Sequence, residues 1–106
     1  MIDPATVGEI LAQYKKHGWV LRRALLSDEG KVQLAKALGS VEITISDFDA
    51  LWFSRKSKPE SEAWELRRLT NLPYALVAVV RADAGTEELE STLAQVADEM
   101  RAKTIA

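Results

Sequence analysis

The sequence predicts a single α+β domain over residues 1–106, with a largely antiparallel sheet of four to five strands and three helices in the order α-β-α-β-β-β-β-α. Three observations carry that prediction. Apolar residues recur at helical spacing in the first and last segments, branched and aromatic residues gather in short runs between them, and Gly, Pro, Asn and Asp mark the joints. A chain of 106 residues is of one-core size and hides roughly two-thirds of its unfolded surface on folding.

Asp3 is a natural N-cap and Pro4 suits the first helical position. Val7, Ile10, Leu11 and Tyr14 then recur at helical spacing until Gly18, which predicts a helix over about 4–17 with His17 at its C-cap. WVLRRALL, residues 19–26, has strand length and strand composition. Ser27 or Asp28 caps a second helix whose apolar stripe is expected to be Val32, Ala35 and Leu38, ending at Gly39; Gly30 in its first turn is discordant. VEITI, 41–45, alternates apolar with polar as a half-exposed strand does, and SDFD is a turn.

ALWFSRK, 50–56, and AWELRRLT, 63–70, read as an antiparallel hairpin joined by SKPESE, with Asn71 and Pro73 breaking the run after it. YALVAVVRA, 74–82, is apolar at nearly every position and reads as a central strand buried on both faces. Such a strand needs both sheet faces covered, by helices or by a second subunit, which leads to an expected dimer. Asp83 to Thr86 supply a turn and cap for a last helix in which Leu89, Leu93, Val96 and Met100 form the seam. Glu87, Glu88 and Glu90 suit its N-terminus, Arg101 and Lys103 its end.

Composition narrows the chemistry. With 47% apolar and 28% charged residues the chain is not of disordered type. Zero cysteines exclude disulfides, thiolate nucleophiles and cysteine zinc sites, and the single histidine, His17, excludes a histidine-rich metal cluster within one chain. No cofactor is implied. The N-terminal MIDPATVGEIL has neither a signal-peptide core nor a membrane span, so the expected setting is cytoplasmic without membrane contact. A net charge of −2 argues against nucleic acid as partner. Residues 15–81 carry twelve Lys/Arg against eight Asp/Glu, and residues 82–106 carry two against six; such poles suit internal packing or self-association.

Within the hairpin, two registers are open. If Pro59 and Glu60 lie opposite each other, Trp52 faces Arg67 and Arg55 faces Trp64; shifted by one, Trp52, Leu66 and Trp64 share a dry face with Phe53 and Glu65 on the other. Trp52, Arg55, Trp64 and Arg67 are accordingly the candidate contact surface, Trp and Arg being the side chains most enriched at binding hot spots. The competing reading is that the aromatics are core and the charges a solvated face.

A second candidate is acidic. Asp47, Asp49 and the Glu65-Leu66-Arg67 step resemble the D…(D/E)xK pattern of magnesium-dependent nucleases, with arginine in the place of lysine. The resemblance implies a carboxylate site for a hard cation and a phosphate-ester hydrolase. The same residues equally suit turn capping and a cross-strand ion pair. A third group is basic: Arg22, Arg67 and Arg55 are candidates for one anion-binding patch, with adjacent pairs such as Arg22 and Arg23 expected on opposite strand faces. The leading functional expectation is a domain that acts by binding, as a homodimer or to another protein, through the sheet face and the hairpin 50–70. The phosphate-ester hydrolase is the alternative.

Overall fold

Eight elements follow one another in the computed structural model, which describes residues 3–69 and 74–105. They are α1 (Pro4–Lys16), β1 (Val20–Leu26), α2 (Asp28–Leu38), β2 (Glu42–Ile45), β3 (Ala50–Lys56), β4 (Ser61–Arg68), β5 (Tyr74–Arg81) and α3 (Thr86–Ile105), the order expected. The strands make one sheet in the spatial order β2-β1-β3-β4-β5, parallel only between β1 and β2. The break expected at Asn71 and Pro73, and Thr70 before it, lie outside the described residues.

Local chemistry sets the helix ends. The Asp3 carboxylate accepts from the Ala5 N–H at 3.0 Å, satisfying a donor that the first turn leaves open. At the other end the His17 N–H donates to the Tyr14 carbonyl and Gly18, with φ of 84°, turns the chain toward β1. Ser27 caps α2 by accepting from the Gly30 N–H at 3.1 Å. The buried stripe of α2 is Gly30, Leu34 and Leu38, with Val32 84% exposed. The expected Val32 and Ala35 stripe is thus rotated, because Gly30 rather than a larger residue seats the helix against its neighbours.

Two apolar layers sandwich the sheet. On one face Val7, Leu34 and Leu38 from α1 and α2 pack on Ala24, Leu26, Leu51 and Phe53. On the other, Leu93, Val96 and Met100 from α3 pack on Trp52, Trp64, Leu66 and Val80. A fully buried side chain of this size contributes about 1.5–3 kcal/mol. The strand buried on both faces is β3, where Ala50 through Ser54 are all buried.

The chain therefore corrects the expected place of YALVAVVRA. β5 is an edge strand with alternating burial, because the β3-β4-β5 meander runs outward from the centre. Its even positions face α3, while Ala75, Val77 and Val79 face away on the side where α1 and α2 reach only the other end of the sheet. Apolar residues on both sides of a strand gave the same sequence signal as two-sided burial. No helix among the described residues is long and apolar enough to cross a membrane.

Candidate functional site

The hairpin turn decides which residues can act together. Ser61 N–H donates to the Lys58 carbonyl at 2.9 Å around a turn with Pro59 second and Glu60 third, and Glu60 takes a φ of 67°. Three residues, 58–60, thus separate the closing pair Ser57 and Ser61, and the odd loop length selects the shifted register. Trp52 stands opposite Leu66, Phe53 opposite Glu65 and Ser54 opposite Trp64.

That register divides the four candidate contact residues between the two faces. Trp52 and Trp64 lie in the α3 core at 2% and 1% exposure, edge to face with ring centroids 6.2 Å apart. Arg55 and Arg67 take the α1 face, and neither is brought onto one surface with the tryptophans. Arg55 is held by the His17 carbonyl at 3.0 Å and lies over the Trp19 ring at 4.6 Å. Arg67 is half-buried, and its Nε has no hydrogen-bond partner among the described residues.

Around Glu65 the α1 face is tightly organised. The Tyr14 ring stacks on Phe53 with centroids 3.9 Å apart, and its hydroxyl donates to Glu65 Oε2. Burial pushes the Tyr14 phenol up to about 12, helped by the Glu65 hydrogen bond and opposed by the nearby Arg67 guanidinium. This arrangement ties α1 to β4.

The three acids of the hydrolase pattern are each engaged separately. Asp49, 8% exposed, accepts from the Ser27 N–H at 2.8 Å and from the Ser27 hydroxyl at 3.0 Å, so it buttresses the α2 cap. Asp47 accepts from Arg101 Nε at 2.9 Å, which holds its carboxyl below the usual carboxylate range. Glu65 serves Tyr14. Among the described residues no three His, Asp or Glu side chains gather to hold a metal ion.

β1 carries a feature that strand alternation hides. Its register against β3 shifts between Leu21 and Arg23, and this bulge places both Arg22 and Arg23 over Trp64, at 5.2 and 5.9 Å from the ring centroid. The expected opposition of Arg22 and Arg23 is corrected by that extra residue. Arg23 continues into a two-pronged bond with Glu90 of α3, at 3.0 and 2.5 Å. Arg22 and Arg55 line one recess of about 630 Å³ at this end of the sheet, whereas Arg67 is not part of it.

The remaining exposed feature is β5. The Ala82 N–H donates to the Glu60 carbonyl at 2.8 Å, which sets the phase of the β4-β5 ladder. In an antiparallel ladder of that phase the even positions bond β4, and Ala75, Val77, Val79 and Arg81 turn both N–H and C=O outward. No described strand lies beyond them. Val77 and Val79 are 56% and 64% exposed, and no charged residue interrupts Tyr74 to Val80. Sequence reasoning missed this edge; the uncharged run following two meander strands was its available signal.

No protein-family model, curated protein or solved structure matches the chain.

Proposed function

We propose that the chain acts as a self-associating binding module whose contact element is β5, pairing edge to edge with β5 of a second copy. One observation carries this reading: an open ladder edge with Val77 and Val79 exposed beside it and no charge from Tyr74 to Val80. Exposed edges are ordinarily blunted by lysine, proline, a bulge or brevity, because a bare edge pairs with any compatible strand. The opposite edge, β2, is only four residues long and carries Glu42. β5 has eight residues and its sole charge is the terminal Arg81.

The strand is also compatible with itself. Two copies related by a two-fold axis at Ala78 set Val77 opposite Val79 of the second copy and Leu76 opposite Val80, with all outward donors and acceptors of Ala75 to Arg81 paired. The two Arg81 side chains then fall at opposite ends of the ribbon, so like charges are kept apart. The hairpin 50–70 serves as the rigid support, since its tryptophans are spent in the core.

Sedimentation velocity at micromolar concentration tests the proposal. Wild type sediments as a dimer, and Val79→Lys sediments as a monomer with an unchanged circular dichroism spectrum, since position 79 is exposed and lysine blunts an edge. A monomeric wild type, or a Val79→Lys variant that still dimerises, overturns it.

A further inference from the structure

We infer that the recess between the start of β1 and the end of β3 binds a phosphate group, free or as part of a phosphate monoester. Arg22, Ser54, Arg55, Lys56, Ser57 and Glu62 line it, a set with three permanent cations and one carboxylate. Glu62 accepts from Trp64 Nε1 at 2.9 Å, and against its one negative charge the three cations leave a net positive excess. Arg22 and Lys56 pair with no carboxylate among the described residues.

The two arginines are held in place before any anion arrives. The bulge in β1 lays Arg22 on the Trp64 ring, and Trp64 is itself fixed in the core. Arg55 is clamped between the His17 carbonyl and Trp19. Ser54 is buried and lines the recess. Two oriented guanidinium groups, an ammonium and hydroxyls offer more donors than a single carboxylate accepts, and they suit the several oxygens of a tetrahedral dianion. The cations outnumber the one carboxylate, and an anion that binds the folded chain stabilises it by mass action.

This inference is independent of the β5 proposal. Calorimetry with inorganic phosphate, glycerol phosphate and acetate at matched ionic strength tests it. Both phosphates bind saturably at one site per chain, and acetate at least about tenfold more weakly. If glycerol phosphate binds tighter than the inorganic ion, the natural ligand is an ester; the reverse order assigns free phosphate. Arg22→Gln and Lys56→Gln each weaken binding about tenfold or more, Lys31→Gln on α2 leaves it unchanged, and circular dichroism verifies folding of each variant. Val79→Lys retains phosphate binding, which separates failure here from failure of the edge pairing. Absence of saturable binding, or binding indifferent to both Arg22→Gln and Lys56→Gln, overturns the inference.

Discussion

Gly30 shows what a single residue can owe to a distant one. Helix propensity argues against glycine in the first turn of α2, since alanine is favoured there by about 1 kcal/mol. A Cβ at position 30, however, would overlap the Asp49 carboxylate and press on Ser27 Oγ, the two groups that cap the helix. Gly30→Ala therefore lowers stability by about 1–3 kcal/mol despite its better propensity, through loss of a buried charged hydrogen-bond network. Chemical denaturation measures this, and the cost shrinks in an Asp49→Ala background; a Gly30→Ala variant as stable as wild type would contradict the account. The caps Asp3 and Ser27 were legible in the sequence because their partners lie within three residues. The reasons for Gly30 and for the Arg22 bulge were not, since those partners come from the loop before β3 and from β4.

Among elements, the last helix was read most fully, whereas the stripe expected on α2 held only at Leu38, Val32 being exposed. Of the expected α3 seam, Leu93, Val96 and Met100 are buried and Leu89 is half-buried against the same core. Strand existence was equally plain, but strand position was not: β5 and β3 are both rich in apolar residues, and only the sheet order makes one an edge and the other the centre. Hairpin register depended on the three-residue loop closed by Ser57 and Ser61. The candidate contact set of Trp52, Arg55, Trp64 and Arg67 was split for that reason, leaving Arg55 in a recess and the tryptophans in the core.

The docking of α3 also has a charge component with a definite pH dependence. Hydrogen bonds from Arg23 hold the Glu90 carboxyl below the usual carboxylate range. A depressed carboxyl contributes stability above its unfolded-state pKa of about 4.3, and the contribution is lost as pH falls through the folded value. Glu90→Gln thus melts below wild type at neutral pH by a small margin, as befits a surface pair worth about 0.2–1 kcal/mol. The difference closes in acid. A difference that grew as pH fell would assign Glu90 another role.

At the scale of the whole molecule, the basic middle and acidic end of the chain are joined in part within the fold, through Arg23 with Glu90, while Asp47 with Arg101 ties the end of the chain back with the opposite polarity. The open edge of β5 carries no charge before Arg81. Helices cover both faces of the sheet at its centre, and beside β5 the face carrying Val77 and Val79 is left open. Self-association at that edge is the central claim, and the ladder phase makes it testable residue by residue. Amide hydrogen exchange over a concentration series is the most direct measurement. Paired edges predict that the amides of Ala75, Val77 and Val79 become protected as concentration rises, and that Val79→Lys abolishes this protection. Exchange of those three amides at an unprotected rate at every concentration, beside steady protection of Leu76, Ala78 and Val80, would contradict it.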